Sequence, residues 1–381
     1  MCLGKTAQGK TKMDEKVTPG SKAHPARTGT GPSGMRILQS KARAHDIPIH
    51  VMLELTNRCN AWCRHCYISN RSPVNELKLS EYESILAQLA EAGTLFLVFS
   101  GGEPLMRRDF FDIASLARRK EFSFTLFSNA ILIDPGTADR LAELCTARVE
   151  ISLLGGRAAT HDRITQVPGS FEKTLRGARL LVERGISVQF KTTWMRENIE
   201  EAAEIQTLVK DIGASFRSAF LVIHRRDGDT SAADLRATPD QLRAMVRKNY
   251  DRRDIKTIPP EPAPLANQQK EGNPCGIGQV SCRIDSCGNV YPCAAVDIVL
   301  GNLRQELFDS IWHGSEELKR LRSIRIADLT ECSSCELYSR CSRCAGLARM
   351  ETGSLLGPSP QACIVTRAFE GFYHERRCQL Q

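Results

Sequence analysis

From Ile49 to Val222 short apolar runs alternate with stretches in which apolar residues recur every three or four positions. The first pattern marks buried strands and the second marks helices with one buried face. The run Ile49 to Leu55 reads as a strand. Ser80 and Glu83 form a capping box, Ile85, Leu86 and Leu89 supply the buried face of the following helix, and Gly93 ends it. Thr94 to Ser100 is the next strand, and further strands fit Ser123 to Ser128, Arg148 to Leu154, Ser187 to Thr193 and Ser215 to Val222. Helical periodicity falls near Asp109 to Arg119, Pro135 to Leu144, Phe171 to Arg184 and Asn198 to Ile212. Six strands alternating with helices predict a parallel α/β architecture, and right-handed crossovers let such a sheet curl into an open barrel.

The rest of the chain lacks this rhythm. Residues 1–45 are rich in Gly, Thr, Ser, Pro and Lys and carry no apolar periodicity up to Met35. They are expected to be a disordered basic tail, and Met35 can itself open the enzyme that follows. The βα segment occupies 46–225. Residues 226–270 are polar and proline-bearing, with one helix signal from Thr238-Pro239 through Arg247, and read as a connector. A cysteine-rich half spans 271–372, and 373–381 is a short C-terminal tail.

Composition narrows the class. A chain of 381 residues can hold two or three cores of ordinary size. No apolar stretch reaches the roughly 18 residues of a membrane span. The net charge of +8 invites a nucleic-acid reading, but residues 1–50 hold nine Lys or Arg against three Asp or Glu, giving +6 and leaving only +2 for the remainder. The basic character sits in the tail, which argues against a phosphate-tracking surface on the body and against a nucleic-acid partner. Fifteen cysteines suit a disulfide scaffold only in a small secreted protein; here no signal peptide is visible and the cysteines group at metal-like spacings, so a reducing cytoplasm is the expected location.

Three of those cysteines, Cys59, Cys63 and Cys66, fall within eight residues just after the first strand. A cubane iron–sulfur cluster takes one thiolate per iron, so a loop with three thiolates leaves one iron open to a non-protein ligand. The Cys-x3-Cys-x2-Cys loop, with His65 before its last cysteine, resembles the signature of the radical S-adenosylmethionine (SAM) enzymes. One βα unit later the second strand ends in Gly101-Gly102-Glu103-Pro104, similar to the segment that receives the amino group of SAM in that family. The resemblance implies a partial (β/α)6 TIM-like barrel with its chemistry at the carboxyl ends of the strands. It also implies that Ser128, Asn129 and Ser152 lie where relatives hydrogen-bond the ribose and carboxylate of SAM, and that Lys191, Trp194 and Asn198 lie where relatives touch SAM or substrate. Ser152 is followed by Leu153-Leu154-Gly155, where relatives often have Asp before the Gly. Read without the family, a Ser or Asn leaving a strand is a turn former and Asn198 a helix cap.

The second half carries Cys275, Cys282 and Cys293, with Gly288 five residues before the last, then Cys332-x2-Cys335-x5-Cys341-x2-Cys344, and Cys363. By spacing alone, two Cys-x2-Cys pairs also suit a four-thiolate zinc site. The order of the whole set, with Gly301-Asn302-Leu303 and Ile311-Trp312 between its two groups, resembles the SPASM domain of radical SAM maturases. That resemblance implies two auxiliary [4Fe–4S] clusters, one on Cys275, Cys282, Cys293 and Cys344 and the other on Cys332, Cys335, Cys341 and Cys363. Two residues separate Cys341 from Cys344, where many relatives have three, and Cys287 stands where a polar turn residue is usual. Cys2, Cys145 and Cys378 are left over, with Cys145 expected in a helix core.

The family implies an oxidoreductase in which a reduced cluster cleaves SAM to a 5′-deoxyadenosyl radical that abstracts hydrogen from an unactivated C–H bond. Relatives with two auxiliary clusters commonly modify peptides, so a peptide or protein substrate is the leading expectation. Nothing in residues 1–45 is long or apolar enough for a fused leader-peptide-binding domain, which leaves recognition to a separate protein or to direct binding. A flavodoxin- or ferredoxin-type electron donor is implied. The competing expectations are a small-molecule enzyme acting on a sugar or a tetrapyrrole side chain, and a non-catalytic iron–sulfur or zinc regulator. No general acid or base stands out among the many Asp, Glu and Lys.

Overall fold

Alternation along the first strand, β1 (His50–Thr56), sets the architecture. Val51, Leu53 and Leu55 are buried in one core with Ile85, Leu86 and Leu89 of α2 (Leu79–Glu91), while His50 and Met52 on the opposite face stay partly open. The computed structural model describes residues 34–72, 75–252, 261–263 and 265–380; α1 (Gly34–Ala44) precedes β1. After α2 the chain continues through β2 (Phe96–Gly101), α3 (Phe110–Arg119), β3 (Ser123–Ser128), α4 (Pro135–Glu143), β4 (Arg148–Ser152), α5 (Ala158–Thr165) and α6 (Ser170–Glu183). Then follow β5 (Val188–Thr193), α7 (Ala202–Ile212), β6 (Ser215–Ala219), α8 (Pro239–Arg252) and the single turn α9 (Asn267–Lys270). The second half holds β7 (Ser281–Ile284), β8 (Asn289–Tyr291), β9 (Gly301–Asn302), α10 (Phe308–Gly314), α11 (Glu316–Ser323), α12 (Ala345–Thr352) and α13 (Pro360–Leu380).

Strands β1 to β6 pair in parallel and in chain order, as the alternating pattern predicts. The sheet does not stop at β1. There β7 adds in parallel, with Val51 opposite Cys282 and Leu53 opposite Ile284, and β8 and β9 follow antiparallel, so one nine-stranded sheet runs through both halves.

Several boundaries differ from expectation for physical reasons. Helix α2 is capped at Lys78, whose N–H is taken by the Glu81 carboxylate at 2.7 Å, so Ser80 and Glu83 lie inside the helix. The expected tail ends earlier, because residues 34–44 form α1, with Ala42 buried and its carbonyl accepting from the Ile47 amide; residues 1–33, Cys2 among them, lie outside the described residues. The connector contains α8, as its helix signal predicts, whereas the expected C-terminal tail is the end of α13. Cys145 is exposed just after α4 with φ of 51°, outside the core. Among the described residues no helix is long and apolar enough to cross a membrane.

The two halves are joined by a buried charge cluster. Glu54 of β1 is fully buried and accepts from Arg283 of β7 at 2.9 Å and from Arg226 at 2.7 and 3.0 Å. Both guanidiniums also reach Asp297, and they lie over the rings of Tyr291 and Tyr67. Burial alone would raise the Glu54 carboxyl, but the two cations win and hold it below its ordinary value. Removing one partner of such a cluster leaves buried charge uncompensated. Glu54→Gln is therefore expected to lower stability by about 3–5 kcal/mol, read as a fall in the urea midpoint. The partly exposed Glu317→Ala, which loses its surface pair with Arg320, should shift it by about 0.5 kcal/mol or less. Because the folded carboxyl titrates below its ordinary 4.5, the contribution of Glu54 is complete above that pH and is lost as the pH falls through the folded value.

Candidate functional site

Just past the carboxyl end of β1, the chain turns through Cys59, Cys63 and Cys66. The loop is tied down on three sides. Trp62 and Arg64 donate their amides to the carbonyls of Thr165 and Ile164 at the end of α5, at 2.9 and 3.0 Å. Arg71 donates to the Ala61 carbonyl and stacks on Trp62. The Tyr67 carbonyl accepts from the Arg226 amide at 3.0 Å. Within the loop the Ala61 N–H reaches the Cys59 sulfur, and burial pushes the Cys63 thiol up to about 12, with Cys66 and Cys59 adding to it. The three thiols thus face one another. His65 is held neutral by burial, at about 4, and its Nδ1 has no partner in the structure.

The Gly-Gly-Glu-Pro segment acts first on this loop. The Gly102 amide donates to the Thr56 carbonyl at 2.7 Å and the Glu103 amide to the Arg58 carbonyl at 2.8 Å. A side chain has no room: a Cβ on Gly101, whose φ is +123°, would stand 2.3 Å from the Thr56 oxygen, and one on Gly102 would stand 2.2 Å from the Arg58 oxygen. Pro104 is buried and opens a single helical turn. The Glu103 carboxylate has no exposed surface; it accepts from the Ser128 hydroxyl at 2.9 Å and the Asn129 amide at 2.8 Å, and burial still pushes it up to about 7. Asn129 continues the chain of contacts, its side-chain amide lying 2.7 Å from Asn60 Oδ1 and 3.9 Å from Cys59 Sγ.

The remaining expected contacts divide in two. Ser152 is exposed at the end of β4 and pairs in register with Lys191 of β5, which reaches Glu150 at 3.0 Å and lies over Phe127. These two open onto the inner face of the sheet. Asn198 does not. It is fully buried, accepts from the Met195 amide at 2.8 Å and donates to the carbonyls of Leu154 and Thr193 at 3.0 Å, so its amide is consumed in pinning the turn after β5 to the end of β4. Trp194 is likewise a core residue. Asn198 thus has its amide occupied by backbone groups, whereas the buried Trp194 leaves its indole Nε1 without a partner. Helix α5, which seats the cysteine loop, gave no clear signal in sequence: it is eight residues long and ends at Gln166 in the left-handed region, a stop usually written with Gly.

In the second half the cysteines form two groups. Cys332, Cys335, Cys341 and Cys363 act on one another electrostatically, with Cys363 in the first turn of α13. Cys275, Cys293 and Cys344 form the other: the Cys275 sulfur accepts from the amides of Ile277 and Ala345, and the Cys293 sulfur from those of Ala295 and Val296. Cys344 caps α12, so the positive helix end faces this sulfur group. Gly346 lets the strands of chain meet, since a Cβ there would stand 2.2 Å from the Ala295 oxygen. Cys282 is the exception and corrects the expected ligand set. It is 2% exposed within the apolar core, and no other cysteine acts on it. Cys287 sits apart as well, in the β7–β8 turn, its amide donating to Asp285.

The donor chemistry suits iron–sulfur clusters. Three thiols in one loop and seven in two groups, their sulfurs met by backbone N–H donors, match the needs of anionic thiolate ligands. Among the described residues no three His, Cys, Asp or Glu side chains close to the spacing of a single metal ion.

A parallel βα sheet with a three-cysteine loop at the end of its first strand, continued by a cysteine-rich extension, defines a radical SAM fold with an auxiliary-cluster domain. The chain belongs to the radical SAM superfamily, whose family model matches residues 53–209, while the model for the SPASM iron–sulfur cluster-binding domain matches 275–345. It is 30% identical over 338 residues to the AdoMet-dependent heme synthase of Methanosarcina barkeri, covering 83% of this chain and 96% of that protein. It is also 30% identical over 354 residues to the mycofactocin maturase MftC of Mycobacterium tuberculosis, covering 90% and 89%. Among solved structures, SuiB of Streptococcus suis bound to the precursor peptide SuiA superposes with a TM-score of 0.66 at 18% identity, over 85% of this chain and 78% of that one. The chain is thus a radical SAM enzyme with a SPASM domain, with a SAM-binding [4Fe–4S] site and auxiliary iron–sulfur binding implied by its two domains.

Because Gly102 spaces β2 from the cysteine loop, Gly102→Ala is expected to shift that loop. Anaerobically reconstituted variant should lose up to about four irons per chain, and SAM binding should weaken in step, by iron assay and equilibrium dialysis. Full iron with unchanged SAM affinity would remove Gly102 from loop positioning.

Proposed function

We propose that the chain is a radical SAM maturase acting on a peptide or protein. The observation that carries this is the match to MftC, which runs nearly end to end through both halves of this chain. The polar inner face of the sheet supports it: Glu150, Ser152 and Lys191 line it toward the carboxyl ends of β4 and β5, the end of the sheet at which the cysteine loop leaves β1. SuiB, similar in fold, was solved with its precursor peptide.

In this reading Cys59, Cys63 and Cys66 hold the SAM-binding cluster. When bound there, SAM and the reduced cluster supply the carbon radical that removes a hydrogen atom from substrate. The protein's own residues position and exclude. Gly101, Gly102 and the Glu103 backbone fix the loop, Pro104 opens the helical turn that follows, Ser128 and Asn129 orient the Glu103 carboxylate, and Ser152 and Lys191 face the reactants. Cys275, Cys293 and Cys344 hold one auxiliary cluster, and Cys332, Cys335, Cys341 and Cys363 the other. A flavodoxin- or ferredoxin-type protein supplies electrons, and a separate protein recognises the leader of the substrate. A second reading rests on the heme synthase relative: a porphyrin bearing carboxylate side chains in place of the peptide.

Replacing Cys59, Cys63 and Cys66 together with Ala should abolish 5′-deoxyadenosine formation while about eight of about twelve irons remain. Chromatography and iron assay on the same sample check both, and continued SAM cleavage would overturn the assignment. Substrate class is read by mass spectrometry, offering candidate precursor peptides and Fe-coproporphyrin III in parallel. A peptide mass change with SAM turnover sustains the proposal, and porphyrin turnover alone transfers it to the second reading.

A further inference from the structure

We propose that the side-chain amide of Asn129 is a hydrogen-bond donor to the Cys59 thiolate of the SAM-binding cluster and sets the potential at which that cluster is reduced.

The orientation of this amide is fixed by its neighbours. Asn129 Oδ1 accepts from the Ile131 backbone N–H at 3.0 Å, so Nδ2 is the atom that faces Asn60 Oδ1 at 2.7 Å and Cys59 Sγ at 3.9 Å. Reversing it would set N–H against N–H at Ile131 and oxygen against oxygen at Asn60. A side-chain amide has two N–H donors. One goes to Asn60 and the other to the sulfur, so both are spent on the cysteine loop and none is left for the ribose or carboxylate of SAM. The Cys59 sulfur, already met by the Ala61 N–H, thus has a side-chain donor as well.

The turn after β3 holds Asn129 from its other sides. Its backbone N–H donates to the Glu103 carboxylate at 2.8 Å, and its carbonyl accepts from Thr174 Oγ1 of α6 at 2.9 Å. The next residue, Ala130, is buried with φ of 60°, and its N–H donates to the Ser128 hydroxyl at 2.9 Å. A residue with a side chain keeps that left-handed conformation only where its surroundings over-determine it. Asn129 therefore turns away from Cys59 only by giving up its bonds to Glu103, to α6 and within its own turn.

Hydrogen bonds to the sulfurs are one of the factors that set the potential of an iron–sulfur cluster. The reduced state carries one more electron, so an N–H aimed at a ligand thiolate stabilises it more than the oxidised state and raises the midpoint. A raised midpoint lets the electron donor fill the cluster more readily. The inference rests on the assignment of Cys59, Cys63 and Cys66 to the SAM-binding cluster in the proposed function, and not on the choice of substrate.

The test is a redox titration of the full reconstituted chain without SAM, followed by electron paramagnetic resonance. The signal of the SAM-binding cluster is identified as the one missing from the Cys59/Cys63/Cys66→Ala variant. Asn129→Leu keeps the side-chain size and the backbone N–H but has no donor. Its midpoint should fall by about 59 mV, which for a one-electron couple is a roughly tenfold loss of reduced over oxidised cluster at fixed potential. Asn129→Asp, which sets a carboxylate against the sulfur, should fall at least as far. Iron content and SAM affinity, by iron assay and equilibrium dialysis, should match the wild type in both. A midpoint that stays in place in variants with full iron would overturn the proposal, and weakened SAM binding with that same midpoint would make Asn129 a SAM contact instead. Where the variants lose iron, the wild type decides: grown with asparagine carrying ¹⁵N in its side chain and then reduced, it should show a ¹⁵N coupling in electron–nuclear double resonance that persists in labelled Asn60→Ala. Absence of that coupling also overturns the proposal. If no signal is lost in the triple variant, the assignment of the cysteine loop fails and this inference with it; a lost signal with an unmoved Asn129 midpoint removes the inference alone.

Discussion

The Glu54 carboxylate, buried between Arg226 and Arg283, is the constraint from which the rest of the arrangement follows. An unpaired ion there would cost several kcal/mol, so β1 reaches its native surroundings only when the segment bearing Arg226 and the strand bearing Arg283 have closed over it. The partners are 172 and 229 residues away in sequence. Their docking adds β7 to the open edge of β1 and converts two expected domains into one sheet. The same strand ends at Thr56 and leads directly to Cys59. The element that carries the cysteine loop is therefore also the one gripped by the second half, and the spacing between the thiol groups is set by a rigid sheet instead of a linker.

Around the loop, the side chains and backbone divide the work in layers. Gly101 and Gly102 are required by contact with the loop's backbone, and Ser128 is consumed by Glu103. Asn198 is consumed by three backbone groups. Each of these positions supports others, while Ser152 and Lys191 keep exposed surface on the open face. Rigid support matters for radical chemistry because a hydrogen atom is taken from whichever C–H bond lies nearest, so selectivity is geometry held against thermal motion.

Much of this was legible in the sequence because the signals were local. The parallel βα order, the thiol loop and the four-cysteine group all rest on short-range periodicity or spacing. What escaped depended on long-range pairing. Cys282 fits a ligand pattern by spacing, but spacing cannot report which face of a strand it occupies, and that face was decided by Glu54 drawing Arg283 to the other side. The capping box was misplaced by two residues because Ser80 looks like a cap, whereas Lys78 has the extended backbone that the position needs. Helix α1 was lost in a polar tail, since only Ala42 is buried along it.

The placement of charge on the second half has one further consequence. Seven thiolates in two groups would repel one another strongly if they faced only carbonyl oxygens and carboxylates. Here the α12 amino end, the N–H donors of Ile277, Ala295, Val296 and Ala345, and Arg343 beside Cys332 all present positive ends to sulfur. Such donors stabilise thiolate over thiol and so favour cluster assembly, which releases protons.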